Sequence, residues 1–213
     1  MPYAHGRTFL DADSHIMELP DFLRDFADPG VRDRLPQIAF DGGQKYTGFE
    51  EAAARKAQAP EAVAEMVALG DELIAGPKGY RALGAFNRAE RSQALDQLGF
   101  DRQLVFATFG TGPAFYSETE PELRYPAARA HNRAMQHFCE GDARLLGVGA
   151  LPLDDPAAAA AELDWMLEAG LAAAWVPHRP CGGRSPGHDD FDPIWARMSE
   201  AGMPFVLHVG GHP

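Results

Sequence analysis

The sequence predicts an α/β fold whose core is a parallel β-sheet. Five apolar segments have the length and composition of strands, and a predicted helix precedes each of the last four. Helices of roughly 10 to 15 residues between strands are typical of the right-handed crossovers that parallel strands require. An open doubly wound sheet and a β/α barrel both satisfy this pattern. In both folds the active-site residues lie at the carboxyl ends of the strands.

The first predicted strand, residues 8–13, ends in a polar cluster. The period of two along a strand sends Asp11, Asp13 and His15 toward one face. Two carboxyl groups and an imidazole would be costly to bury without partners. We therefore expect a bound cation or a hydrogen-bond network there, and the alternative is a strand end followed by a solvated turn.

The rest of the chain divides into an insertion and four helix-strand units. Prolines and a pair of glycines at residues 42–43 interrupt residues 16–85. We expect an insertion there that contains a helix over residues 61–74. The units that follow place strands at residues 103–108, 145–151, 171–176 and 204–208, with helices at residues 88–98, 127–138, 156–169 and 193–201.

Local signals predict where these helices begin and end. Asp155 is expected at an N-cap with Pro156 at the first helical position, and Asp192 with Pro193 repeats the pattern. Glycines are expected to close three of the helices, at Gly99, Gly170 and Gly202.

The composition argues against several classes of partner. The formal net charge is −12 and the pI is near 5.0, which disfavours nucleic acid and anionic membranes. Residues 1–7 lack the apolar core of a signal peptide, and no apolar run reaches the length of a membrane span. We expect a cytoplasmic protein with a small-molecule substrate and with Cys139 and Cys181 as reduced thiols.

A candidate metal site favours the barrel over the open sheet. His208 ends the fifth predicted strand, as Asp13 and His15 follow the first. One carboxylate and two imidazoles suit Zn²⁺, which is the expected ion, and also accept Mn²⁺. The open sheet loses support because no glycine-rich dinucleotide fingerprint and no P-loop are present.

Two other functions remain open from the residues alone. Asp11 and Asp13 also fit the D-x-D signature of phosphotransferases that use an aspartyl nucleophile, here Asp11, with Mg²⁺, although His15 replaces the usual threonine. A silent fragment or binding module that keeps only part of a site is the other alternative. An EF-hand is excluded because His15 and Ile16 stand where an oxygen ligand and glycine are needed.

Loops after the strands supply candidate substrate contacts. Arg179 and Arg184 lie in the loop after the fourth strand and could bind a substrate anion. Phe109 begins a glycine-containing segment, residues 109–113, that is either a pocket wall or a plain turn. The alternative for the two arginines is ion pairing with nearby carboxylates: Asp189, Asp190 and Asp192.

Four stretches together resemble the amidohydrolase-related family that includes aminocarboxymuconate-semialdehyde decarboxylase and the aromatic-acid decarboxylases. These stretches are residues 11–18, 86–100, 152–156 and 205–211. The resemblance implies a (β/α)₈ barrel with one metal ion at its mouth. It also implies a hydrolase or a non-oxidative decarboxylase acting on a small carboxylated or cyclic substrate.

The resemblance assigns roles to individual residues. Asp13 and His15 match the strand-one ligand pair, with Asp13 in place of the more familiar first histidine, and His208 matches the strand-five ligand. The family's further catalytic histidine on strand six and its aspartate on strand eight have no counterpart before Pro213, so no catalytic acid or base is identified. Residues 1–213 are therefore expected to be the amino-terminal part of one barrel domain.

Five strands of eight cannot close a barrel, so the isolated 213-residue chain should self-associate or unfold without a sharp transition. Its missing strands would come from a longer product or from another chain, as in a homo-oligomer. Size-exclusion chromatography and calorimetry measure both properties, and a monomer with a sharp cooperative transition would refute this expectation.

Overall fold

The predicted parallel sheet is present. A computed structural model describes residues 2–40, 46, 48–116 and 120–208. Within these residues, five strands form one sheet in the order β1-β2-β3-β4-β5, and each neighbouring pair is parallel. The strands are β1 (Leu10–His15), β2 (Arg102–Phe106), β3 (Leu145–Ala150), β4 (Ala173–Trp175) and β5 (Phe205–Val206).

Helices connect the strands and cover the sheet. In the same described ranges the α-helices are α1 (Phe22–Phe26), α2 (Phe49–Ala57), α3 (Pro60–Ala68), α4 (Arg88–Leu98), α5 (Gly112–Tyr116), α6 (Arg124–Cys139), α7 (Pro156–Glu168) and α8 (Asp192–Ala201). None of these helices combines the length and the apolar character needed to cross a bilayer.

The strand order is that of a barrel wall. A doubly wound sheet reverses its order at a switch point, whereas these strands follow one another without reversal. The edge strands of a flat five-stranded sheet would be roughly 19 Å apart, at the usual spacing between strands. The Nε2 atoms of His15 on β1 and His208 after β5 are 3.1 Å apart, so the sheet is strongly curled.

Both faces of the sheet are buried, as expected for parallel strands. On β2, Val105 belongs to one apolar core and Phe106 to the other. On β4, Ala174 and Trp175 divide in the same way. Phe106 and Trp175 therefore share the face on which the His15 and His208 rings lie, and this face forms the apolar floor of the site.

Several predicted helix ends are confirmed. Asp155 Oδ1 accepts hydrogen bonds from the N–H groups of Ala157 and Ala158, at 2.9 and 3.1 Å, so Asp155 is the N-cap of α7. Gly99 ends α4 with a φ of +71°, a left-handed conformation that glycine adopts without strain.

The prediction of Asp192 as an N-cap is wrong. Asp192 is the first residue of α8, and a 3₁₀ turn over Asp189–Phe191 runs directly into that helix. The backbone is therefore already helical before Asp192, so Asp192 does not occupy the N-cap position. The capping side chain is that of His188, which accepts a hydrogen bond from the N–H of Asp190.

The single helix predicted over residues 61–74 is also wrong. Here α3 ends at Ala68, and a separate 3₁₀ helix covers Gly70–Ala75. The chain breaks at Gly70, whose φ is +55°, because a left-handed residue cannot continue a right-handed helix. The extent of the insertion at residues 16–85 stays a prediction, and residues 42–43 lie outside the described residues.

Strand lengths differ from those predicted. β1 begins at Leu10 rather than at residue 8, and β4 and β5 are shorter than the apolar runs that contain them. Leu207 and His208 continue past the paired part of β5, and residues 209–211 lie outside the described residues.

The close contact between Gly84 and Arg91 on α4 can be tested by substitution. A Cβ at Gly84 would lie 2.4 Å from Cα of Arg91, and φ at Gly84 is +75°. We expect Gly84→Ala to lower the free energy of unfolding by roughly 3 kcal/mol, from strain and overpacking together. Gly79→Ala is the matched control, because φ there is +61° but a Cβ would meet nothing within 4 Å.

The control should lose about 1 to 2 kcal/mol, from the backbone conformation alone. Urea unfolding of both variants measures the difference. Equal losses would show that the contact with Arg91 contributes nothing to the effect.

Candidate metal centre

Three predicted ligands meet at the carboxyl ends of β1 and β5. Asp13 Oδ1 lies 3.1 Å from His15 Nε2 and 2.9 Å from His208 Nε2, and the two Nε2 atoms are 3.1 Å apart. Ligands at ordinary bond lengths from one divalent ion, with angles from tetrahedral to octahedral, are separated by about 2.9–3.4 Å. The three atoms therefore have the spacing of a single coordination site.

The tautomer of His15 suits a metal ligand. Its Nδ1 faces the carbonyl oxygen of Ala107 at 3.2 Å. A carbonyl oxygen can only accept, so Nδ1 carries the proton and Nε2 keeps its lone pair for the shared site. A backbone carbonyl on the neighbouring strand end thus orients the ring.

The imidazole of His208 is held by aromatic rings. Its centroid lies 5.0 Å from that of Phe106 and 4.9 Å from that of Trp175. Its Nδ1 is buried and has no hydrogen-bond partner among the described residues. The ring position is therefore set by packing, with Nε2 directed at Asp13 and His15.

The surroundings lower the pKa of two of the three donors, His15 and Asp13. Burial lowers the pKa of His15, and the nearby His208 lowers it further, so the neutral ring is favoured. Burial alone would raise the pKa of Asp13, but its hydrogen bonds and electrostatic interactions with His208 and His15 lower it overall. Metal ligands must be deprotonated, so these shifts favour metal binding.

Asp11 does not join the donor group, contrary to the expectation from strand periodicity. Asp11 pairs with Gln103 and Ser14 pairs with Val105, so β1 advances three residues while β2 advances two. This irregularity breaks the alternation and re-aims the side chains. The Asp11 carboxylate instead accepts hydrogen bonds from the N–H of Asp13 at 3.1 Å and from Gln103 Nε2 at 3.0 Å.

The proposed substrate contacts lie in the segments after β2 and β4, and they make no hydrogen bond to the three ligands among the described residues. Arg179 donates to the carbonyl oxygen of Phe115, and its guanidinium lies 5.7 Å from the ring centroid of Tyr116. Arg184 pairs with Asp190 at 2.5 Å, so binding a substrate anion would require this ion pair to open. Their roles stay predictions.

Phe109 lies just before α5, and its side chain is half-buried. Its backbone N–H donates to Glu18 Oε1 at 2.7 Å, and Gly110 N–H donates to the same oxygen at 2.7 Å. The segment is therefore a fixed turn whose position depends on Glu18. A pocket-wall role for Phe109 stays a prediction.

Glu18 is a residue that the sequence patterns did not single out. It is fully buried, its Oε2 has no hydrogen-bond partner among the described residues, and burial raises its pKa to about 7. In the sequence it ends the stretch of residues 11–18 that carries the family resemblance, but no role was assigned to it there. Glu18 joins the segment after β1 to the segment after β2, beside the candidate metal centre.

The curled parallel sheet and the three convergent donors define the class as a barrel-type protein with a candidate mononuclear metal centre at the strand ends. The chain belongs to the Amidohydrolase family, whose family model matches residues 80–213. This membership confirms the resemblance seen in the sequence.

Solved structures show the same fold. An amidohydrolase from Mycobacterium avium subsp. paratuberculosis is 21% identical with a TM-score of 0.68, over 96% of this chain and 58% of that chain. A 5-carboxyvanillate decarboxylase from Novosphingobium aromaticivorans, solved with bound manganese and 3-methoxy-4-hydroxy-5-nitrobenzoic acid, is 19% identical with a TM-score of 0.54, over 96% and 51%. These likenesses confirm the barrel-type α/β fold.

A 4-oxalomesaconate hydratase from Rhodopseudomonas palustris is 15% identical with a TM-score of 0.50, over 95% of this chain and 52% of that chain. Among curated proteins, the decarboxylase orsB of Emericella nidulans is 38% identical over 66 residues, which are 30% of this chain and 20% of that protein. The chain thus spans about half the length of the solved structures and a fifth of the curated relative.

Glu18 predicts a pH dependence of stability. Because the pKa of Glu18 rises from 4.5 to about 7 on folding, the unfolded chain ionises first, and the free energy of unfolding should fall as the pH rises from 4.5 to 7. Glu18→Gln keeps an acceptor for both N–H groups and should remove this fall, which amounts to roughly 3 kcal/mol.

Urea unfolding at pH 5, 6, 7 and 8 with a chelator present measures the effect without metal. Glu65→Gln, an exposed position on α3, is the matched control and should keep the pH dependence of the unmodified protein. Parallel pH profiles for the Glu18→Gln variant and the unmodified protein would contradict the raised pKa.

Proposed function

We propose that this chain carries the metal-binding part of the active site of a metal-dependent decarboxylase that acts on a small carboxylated substrate. The observation that carries the proposal is the convergence of Asp13, His15 and His208, whose donor atoms lie within 3.1 Å of one another. Membership of the Amidohydrolase family and the two decarboxylases among the relatives support it.

The donor set also limits the ion. One carboxylate oxygen and two imidazole nitrogens suit Zn²⁺, which we propose first, and accept Mn²⁺, the ion in the similar 5-carboxyvanillate decarboxylase. When bound, such an ion supplies Lewis-acid stabilisation of anionic oxygens. Asp13, His15 and His208 would hold it, with the Ala107 carbonyl fixing the His15 tautomer.

The surroundings of the ligands favour loss of CO₂. Phe106 and Trp175 form an apolar floor beside His208 and exclude water from that side. A carboxylate placed against apolar rings loses hydration, whereas CO₂ carries no charge and loses little. The floor therefore disfavours the charged reactant relative to the neutral product.

We propose Arg179 as the first contact for a substrate anion. It lies in the loop after β4, and its hydrogen bonds to Phe115 and Pro180 use two of the five N–H donors of a guanidinium. Arg184 and Phe109 are proposed as further substrate contacts. Arg184 would first have to leave Asp190.

Hydrolysis is the second candidate reaction, and one observation favours it. The side chain of Asp13 is 68% exposed, so the donor group is accessible to water at Asp13. Water at that position could act as the attacking nucleophile on a carbonyl substrate.

The setting of the enzyme is also part of the proposal. The free cysteines Cys139 and Cys181 support a cytoplasmic location. Leu10 on β1 and Phe205 and Leu207 at β5 are exposed on the two edge strands of the described sheet, which supports completion of the barrel by further strands or association between copies.

The proposal predicts metal-dependent release of CO₂. The purified protein, loaded with Zn²⁺ or Mn²⁺, should bind about one ion per chain and release CO₂ from members of a panel of hydroxybenzoic acids that includes 5-carboxyvanillate. His208→Ala should weaken metal binding by roughly 100-fold, because it removes one of three protein ligands, and should abolish the release. Metal analysis and a CO₂ assay measure the two effects.

His137→Ala is the matched control, because His137 is exposed near the end of α6 and should affect neither quantity. Failure to bind metal after loading, or CO₂ release that persists in the His208→Ala variant, would overturn the proposal. Bound metal together with hydrolysis of esters or amides, but no CO₂ release, would favour the second candidate.

A further inference from the structure

A buried arginine contacts the strand end that carries two of the proposed ligands. Arg91 on α4 is 8% exposed, and its guanidinium makes three hydrogen bonds. Nη1 donates to Ser14 Oγ at 2.8 Å, Nη2 donates to the carbonyl oxygen of His15 at 2.6 Å, and Nε donates to the carbonyl oxygen of Gly84 at 3.0 Å. All three acceptors are uncharged.

This arrangement is unfavourable for stability alone. A guanidinium that is withdrawn from water and bonded to neutral acceptors regains only part of the hydration free energy that it loses. Burial accordingly lowers the pKa of Arg91 to about 10. An apolar side chain could fill the same space between α4 and β1 without that cost. The planar, forked donor group is the property that distinguishes arginine here.

The bonds of Arg91 reach the part of β1 where the ladder is irregular. The register shift ends at Ser14, where pairing resumes with Ser14 opposite Val105 and His15 opposite Phe106, and the N–H of Ile16 donates to Phe106 O at 2.9 Å. The His15 carbonyl is bonded by Arg91, on α4, and so has an anchor outside the sheet. Arg91 thus binds the two residues that directly follow Asp13.

Arg91 is itself held in a fixed place. Asn87 caps α4, with its Oδ1 accepting hydrogen bonds from the N–H groups of Ala89 and Glu90. Gly84 packs against the backbone of Arg91 so closely that a Cβ there would lie 2.5 Å from the Arg91 nitrogen. The capped start of α4 therefore positions the guanidinium of Arg91 against β1.

We propose that Arg91 is a positioning residue for the metal centre: it holds Ser14 and the His15 main chain so that the donor atoms of Asp13 and His15 stay at coordination spacing. This inference rests on the proposed metal-binding function. A purely structural role, in which Arg91 only joins α4 to β1, predicts a loss of stability with no change in metal affinity.

Arg91→Lys separates the two roles. A single ammonium group keeps the charge but cannot reach all three acceptors in the plane of a guanidinium. We expect the Mn²⁺ dissociation constant to rise about 10- to 100-fold, the usual effect of losing a residue that orients metal ligands, with one site per chain retained. Calorimetric titration with Mn²⁺, well below the unfolding temperature, measures affinity, and electron paramagnetic resonance reports a change in ligand geometry.

Arg129→Lys is the matched control. Arg129 is half-buried and pairs with Glu162 at 2.7 Å between α6 and α7, with its guanidinium over Trp165. This variant should lose stability while its Mn²⁺ affinity stays within about 2-fold of that of the unmodified protein. An Arg91→Lys variant that loses stability but keeps full Mn²⁺ affinity would overturn the inference.

Ser14→Ala provides a second route if Arg91→Lys does not fold. It removes only the hydroxyl acceptor, leaves the bonds to His15 and Gly84 in place, and should raise the Mn²⁺ dissociation constant by a few fold. Unchanged affinity in this variant would also count against Arg91. If the unmodified protein bound neither Mn²⁺ nor Zn²⁺, the proposed function would fail, and this inference would fail with it. Equal Mn²⁺ binding by the unmodified protein and the Arg91→Lys variant would overturn this inference alone.

Discussion

The curl of the parallel sheet is the constraint on which the candidate site depends. Asp13 and His15 are on β1, whereas His208 follows β5 at the other edge of the described sheet, and in a flat sheet these edges would be roughly 19 Å apart. Curling brings the Nε2 atoms of the two histidines to 3.1 Å. Phe106 and Trp175 from the intervening strands fill the concave face, so the packing that supports the curl also forms the apolar floor of the site.

Two acidic residues close together in the sequence have opposite environments. Asp13 is largely exposed beside two histidines, and its pKa is lowered, which suits a metal ligand. Glu18 is fully buried and accepts hydrogen bonds from the main-chain N–H groups of Phe109 and Gly110, and its pKa is raised to about 7. The same carboxylic acid chemistry thus provides a charged ligand at one position and, at the other, a connection between two loops. The difference arises from solvation and from neighbouring charge.

Predictions from neighbouring residues succeeded where the determining interactions are local. The cap at Asp155 and the left-handed end at Gly99 involve contacts within one helical turn, and both are confirmed. Asp192 has the same sequence signature as Asp155, yet a 3₁₀ turn before it removes the extended backbone that an N-cap needs. The expectation for Asp11 failed for a similar reason, because the register shift in β1 is set by pairing with β2. The helix predicted over residues 61–74 ran through Gly70, where the left-handed backbone ends the helical conformation.

The order of strands and helices and the identity of the three convergent side chains followed from patterns within the chain. Apolar runs, helix signals and polar residues at strand ends are local features, and parallel strands place those ends at one edge. The spacing of the donor atoms, the engagement of Asp11 by Gln103, and the contacts of Glu18 and Arg91 required the three-dimensional fold. Arg91 and Ser14, for example, are 77 residues apart in the chain. Such contacts join residues from distant elements, and neither hydrophobic period nor capping preference carries information about which distant groups will meet.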